Sequence, residues 1–125
     1  MMPGGRHPGF FESFGYALQG VAAIVRRERN FKVMLTVGAL AVAMGFALRI
    51  DALSWVAVVC MIGMVLGGEM LNTAVEAVVD LASPDIHPLA KLAKDVAAGA
   101  MLVLSCAAAV GGLIVYVRAA VLLLG

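Results

Sequence analysis

The stretch Glu69-Met70-Leu71-Asn72-Thr73-Ala74-Val75-Glu76-Ala77-Val78-Val79-Asp80 decides how this chain is read. It sets three carboxylates and an amide into sequence that otherwise reads as membrane helix. At about 100° per residue, Glu69, Asn72, Glu76 and Asp80 fall within an arc of about 80°, a polar stripe about 16 Å long. The other side carries Leu71, Val75, Val78 and Val79, which suits lipid or neighbouring helices. Ionisable groups at membrane depth are expensive, so they face a bundle interior or a wet cavity and carry function. Acids with an amide oxygen are also what a hard cation such as Mg²⁺ takes as ligands.

The rest of the chain supports a membrane setting. Of 125 residues, 63% are hydrophobic and 14% charged, and the mean hydropathy is +1.03. Soluble domains carry about a quarter charged residues. The net charge of +1 and the absence of any dense Lys/Arg run give no footing for nucleic acid. Cys60 and Cys106 fall in the middle of apolar segments and read as packing residues. The N-terminus lacks the apolar core and cleavage site of a signal peptide.

The expected fold is an all-α membrane protein with one amphipathic surface helix and three transmembrane helices. Residues 1–9, rich in Gly and Pro, are expected to be flexible. Residues 10–125 then form a single domain, opening with a surface helix over 10–31. There Phe14, Ala17, Leu18, Val21, Ile24 and Val25 share one face. The three spans cover about 33–52, 53–81 and 88–117. The second runs on through the acidic stripe until Ser83-Pro84 breaks it, and Pro88 opens the third. Seven of the nine basic residues flank the spans on one side; only Arg49 and Arg118 lie on the other. The positive-inside rule therefore predicts a cytoplasmic N-terminus and an external C-terminus. The acids other than Asp51 gather at the cytoplasmic end, where ATP and Mg²⁺ are available.

Two further constellations accompany the stripe. Glu28 falls at the centre of the surface helix's apolar face, where a solvated glutamate would not stand, and could reach the stripe as another metal ligand. Lys94-Asp95 opens the third span. Lys94 offers a point positive charge to phosphate, and Asp95 could fix Lys94 or touch a nucleotide. His87, in a loop between prolines, reads as structural. Trp55 and Tyr116 lie where aromatic belts form. Gly63-x-x-x-Gly67 permits close helix packing, and Gly67-Gly68 would loosen the helix just before Glu69. No P-loop, GxGxxG or Ser/His/Asp set is present. An ion or proton transporter could use the same acids as a relay. Against it, the acids cluster at one end, so no path crosses the membrane.

Three segments together carry a family resemblance. They are Glu28-Arg29-Asn30-Phe31, the stripe itself, and Ala93-Lys94-Asp95-Val96-Ala97-Ala98-Gly99-Ala100. The chain resembles the bacterial diacylglycerol kinase/undecaprenol kinase family over about residues 12–117. The linker Ser83-Pro84-Asp85-Ile86-His87-Pro88 is similar to the Gram-positive-type branch, which tilts the acceptor towards undecaprenol and leaves diacylglycerol open. The resemblance implies a homotrimeric bacterial cell-membrane enzyme moving the γ-phosphoryl group of ATP to a lipid hydroxyl with Mg²⁺. It implies Glu69 as general base, Asn72 as a hydrogen-bonding partner in the site, and Glu28 and Glu76 as ligands of the phosphate-bridging metal. Lys94 would contact phosphate, with Asp80 and Asp95 holding nucleotide or Lys94.

Overall fold

A computed structural model describes residues 7–125. Of the stretch 1–9 expected to be flexible, residues 1–6 lie outside the described residues. Four helices follow: α1 (Phe10–Arg27), α2 (Arg29–Ala47), α3 (Ala52–Ala82) and α4 (Pro88–Leu124). Helices α2, α3 and α4 are each long and apolar enough to cross a membrane. The described residues form two compact units, one ending at Val33 and one running from Met34 to Gly125.

In the first unit the helix expected over 10–31 stops at Arg27. Glu28 is a single extended residue (φ −100°, ψ 109°) whose N–H still donates to the Ile24 carbonyl. Its own carbonyl accepts from Lys32 N at 3.3 Å. Neither Gly nor Pro marks this break. Arg26, Arg29 and Lys32 stand three residues apart, and like charges at that spacing weaken a continuous helix. Ile24 is buried, whereas Phe10, Phe11, Phe14 and Leu18 are exposed.

In the second unit the first membrane helix ends at Ala47, short of the expected residue 52. A tight turn intervenes, with Arg49 N donating to the Phe46 carbonyl and Ile50 N to the Gly45 carbonyl. Arg49 takes a left-handed conformation (φ 52°). That position usually belongs to glycine, because a Cβ there costs roughly 1–2 kcal/mol. Asp51 then caps α3, accepting from Ser54 N at 2.8 Å, and it also accepts from Arg118 Nη1 of α4 at 3.2 Å.

α3 is unbroken from Ala52 to Ala82, about 46 Å at the standard rise. That exceeds the roughly 30 Å hydrocarbon core, so its last turns have length to project beyond it. Ser83 ends the helix, and its hydroxyl donates to the Asp85 carbonyl at 3.0 Å. His87 caps α4 by accepting from Leu89 N at 3.1 Å, and Pro88 occupies the first turn. α4 runs past residue 117 to Leu124; Ala119-Ala120-Val121-Leu122 contains nothing that stops a helix.

α3 and α4 form the principal helix pair. Their close approach is set by Gly68, where an added Cβ would sit 2.5 Å from Leu104, and by Gly111, 2.5 Å from Met61. The expected Gly63–Gly67 ridge is not the contact: a Cβ on either meets nothing within 4 Å. Gly67-Gly68 does not loosen α3 either, since the helix is continuous and Gly68 is packed. α2 is tied on by Gly45, which lies under the Trp55 ring, and by the Tyr116 hydroxyl, which donates to the Ala41 carbonyl at 2.6 Å. Trp55 and Tyr116 thus serve helix packing as well as any belt. An apolar cleft of about 490 Å³ runs between these helices, reaching from Tyr116 to Leu66.

Candidate active site

The stripe lies on the last four turns of α3, and its exposure is graded. Glu69 is the one buried polar or charged side chain among the described residues, at 6% exposure. Asn72 is half-buried, and Glu76 and Asp80 are exposed. Across the helix Leu71 and Val78 face outward, at 70% and 64% exposure, as the helical periodicity predicts for a lipid-facing side.

Beside Glu69, Gly68 lets α4 approach, bringing Met101 and Leu104 against α3; Met101 is itself buried. One turn on, Asn72 Nδ2 donates to Glu76 Oε1 at 3.3 Å. The Asn72 carbonyl oxygen, Oδ1, is buried and has no hydrogen-bond partner among the described residues. Buried acceptors are normally satisfied, and one that is not marks a place where a hydroxyl, water or cation belongs.

Lys94 lies across the loop from the stripe. Its ammonium donates to Asp80 Oδ1 at 2.5 Å, joining α4 to α3. Glu76 is its next carboxylate neighbour. Asp95 does not hold Lys94. It pairs instead with Lys91 at 2.5 Å, one turn back on the same helix, because adjacent residues on a helix diverge by about 100°. The structure therefore brings Glu76, Asp80 and Lys94 together and leaves Asp95 on a separate ion pair. Glu28 belongs to the other compact unit.

The pairing of Lys94 with Asp80 is a feature that helical spacing alone did not reveal. The two are fourteen residues apart, outside any same-helix rule. The useful signal is the shortness of the Ser83–His87 linker, which forces the end of α3 beside the start of α4.

No three carboxylate, histidine or cysteine side chains among the described residues converge as a ready metal group. Mg²⁺ does not need one, since it is held by one or two carboxylates with substrate phosphates and water completing the octahedron. The Glu76 carboxylate and the unsatisfied Asn72 oxygen are hard donors on one helix face, so the residues fit such an ion. The arrangement offers a dry carboxylate, hard oxygens for a cation and a positive charge beside them.

Comparison with known proteins agrees with this chemistry. The profile of the prokaryotic diacylglycerol kinase family matches residues 15–116. An undecaprenol kinase of Bacillus subtilis is 37% identical over 107 residues, covering 86% of this chain and 87% of that protein. A diacylglycerol kinase of Synechocystis is 37% identical over 106 residues, covering 84% of this chain and 61% of the relative. A diacylglycerol kinase of Escherichia coli K12 is 34% identical over 89 residues, covering 71% and 73%. With three helices able to span a membrane and a family match over most of its length, the chain belongs to the prokaryotic diacylglycerol kinase family of membrane lipid kinases.

Proposed function

We propose that this protein transfers the γ-phosphoryl group of ATP to the hydroxyl of a membrane lipid, with undecaprenol as the favoured acceptor and diacylglycerol as the alternative. The observation that carries the reading is the burial of Glu69 at the head of the stripe. Glu69 takes the proton of the lipid hydroxyl as that oxygen attacks the γ-phosphorus. The bond from the γ-phosphorus to the β–γ bridging oxygen breaks, and ADP leaves. Phosphoryl transfer asks a protein mainly for positioning and charge neutralisation. Asn72 Oδ1 orients a donor beside the base. Lys94, held by Asp80, meets phosphate charge, and Asp95 with its partner Lys91 borders the nucleotide. Glu76, with Glu28 as a second ligand, would hold Mg²⁺, which when bound neutralises the phosphate oxygens.

The apolar cleft, which reaches Leu66 one turn before Glu69, suits the lipid's hydrocarbon chain. The preference for undecaprenol is supported by the Bacillus relative and by the Ser83-Pro84 linker. The same reading places α1 on the membrane surface through its exposed phenylalanines, with the N-terminus in the cytoplasm and the C-terminus outside. It makes residues 10–125 one membrane domain and the enzyme a homotrimer. Gly63 and Gly67, open on the protomer surface, are free to meet a second copy.

The test is a phosphorylation assay in detergent or lipid with labelled ATP, offering undecaprenol and diacylglycerol side by side. Glu69→Gln is expected to abolish label transfer with thermal stability unchanged or raised, since a buried carboxylate is disfavoured. Turnover retained in that variant would remove Glu69 as the base.

A further inference from the structure

The end of the second unit away from the stripe holds a separate pocket. Along α3, residue 51 is about 27 Å from Glu69 and about 44 Å from Asp80, so this pocket is remote from the kinase chemistry. It encloses about 190 Å³ and is lined by Leu48, Arg49, Asp51, Arg118, Leu122 and Leu123 among others. Its composition is unusual for the chain: it gathers Arg49 and Arg118, the two basic residues that lie on this side of the spans.

The charges do not cancel within it. Asp51 is already satisfied by Ser54 N at 2.8 Å and by one nitrogen of Arg118 at 3.2 Å. A guanidinium has five donors in a fork that matches phosphate, so Arg118 keeps donors to spare. The Arg49 guanidinium makes no hydrogen bond or ion pair among the described residues. The pocket therefore holds a net positive charge, with leucines beside it at the end of two membrane helices.

Arg49 adds an independent indication. It occupies the left-handed position at φ 52°, where glycine would fit the turn without strain. The residue that bears this backbone cost also lines the pocket.

From these observations we infer that the pocket is a binding site for the phosphate headgroup of an anionic phospholipid, one per chain. Arg49 and Arg118 fork the phosphate, and the acyl chains lie along Leu48, Leu122 and Leu123. Arg118 bridges the site to Asp51 at the start of α3, so an occupied pocket joins the α2–α3 turn to α4. The leucines select a lipid over a free anion, because a soluble phosphate gains nothing from them.

The experiment uses the full-length protein in phosphatidylcholine vesicles carrying spin-labelled phosphatidylglycerol. The motionally restricted fraction gives its association relative to phosphatidylcholine. Arg49→Gly and Arg118→Gln are each expected to lower that preference about fivefold, the effect of one basic residue near a membrane surface. Arg49→Gly is the decisive variant, because glycine suits the backbone and the protein stays folded. Lys91→Gln removes the same charge at the other end of α4, where Asp95 already engages it, and should lower the preference by less than either pocket variant. An undiminished preference in Arg49→Gly would overturn the site. So would an equal loss in Lys91→Gln, which would reduce the effect to overall charge. Displacement of the lipid by millimolar inorganic phosphate would overturn the headgroup assignment.

Discussion

The ion pair between Lys94 and Asp80 separates two roles that are easily confused, and its energetics decide between them. The pair closes at 2.5 Å, but its side chains are 42% and 66% exposed. An ion pair so open to solvent contributes about 0.2–1 kcal/mol to stability. Lys94→Gln or Asp80→Asn should therefore each shift unfolding by no more than about 1 kcal/mol. A positive charge lost from transferred phosphate is a different matter. A hydrogen bond to a charged group contributes about 1.5–3 kcal/mol, which is roughly 10- to 150-fold in rate at 1.36 kcal/mol per tenfold. On the proposed reading Asp80 acts only by holding Lys94 in place, and Glu76 remains as a second carboxylate neighbour. Asp80→Asn should accordingly lower kcat/KM for ATP by about fivefold or less. In a background already lacking Lys94 it should have no further effect, because the two act as one unit. The assay is kcat/KM for ATP at saturating lipid for both single variants and the double, beside thermal unfolding in the same detergent. Two results would refute the reasoning. One is an activity loss in Lys94→Gln of fivefold or less. The other is an undiminished effect of Asp80→Asn in the double variant, showing that Asp80 does not act through Lys94.

Two other predictions concern the frame that holds the site. In Gly45→Ala the new Cβ would fall 2.7 Å from Trp55 Cη2, and the ring is held against Phe46 at a 4.7 Å centroid distance. Overpacking of about 1–3 kcal/mol outweighs the roughly 0.5–1 kcal/mol that alanine gains over glycine in a helix, so thermal stability should fall. Gly63→Ala, with nothing nearby, should leave the isolated protomer as stable or more so, and equal losses in both would discredit the Trp55 contact. Hydrogen bonds from Ser54 first, then Arg118, hold the Asp51 carboxyl down at about 2, from an ordinary 3.8. A depressed folded-state pKa means this stabilisation is complete above about pH 4 and lost as pH falls towards 2. Asp51→Asn should flatten the acid limb of unfolding in that window, and an unaltered limb would show that Asp51 is not the group responsible.

Helical periodicity made much of the site readable. It put Glu69, Asn72, Glu76 and Asp80 on one face and Leu71 and Val78 on the other. Ser83-Pro84 and Pro88 marked the end of one helix and the start of the next through backbone chemistry that needs no partner. What periodicity cannot state is which face meets which helix. Hence the Gly63–Gly67 spacing looked like the packing ridge, whereas Gly68 and Gly111 make the close approach. Hence also Asp95, next to Lys94 in sequence, turned to Lys91, while Asp80 reached Lys94 from another helix. The break at Glu28 was hidden for a related reason. Its neighbours are good helix formers one by one, and only their summed positive charge weakens the turn.

The graded burial of the stripe gives the proposed reaction a direction. Glu69 is dry, Asn72 is half-buried, and Glu76 and Asp80 are wet, so the boundary between apolar surroundings and water runs across the face that carries the chemistry. A lipid hydroxyl and a nucleotide phosphate come from opposite sides of such a boundary, and neither can travel far into the other's medium. A site confined to the apolar side would exclude the nucleotide, and one confined to water would strand the lipid. Placing the base at the dry end and the phosphate-binding charges at the wet end lets both reactants stay where they are stable. Gly68 stands beside that base in the chain, and a side chain there would meet Leu104 at 2.5 Å and force α4 away from α3.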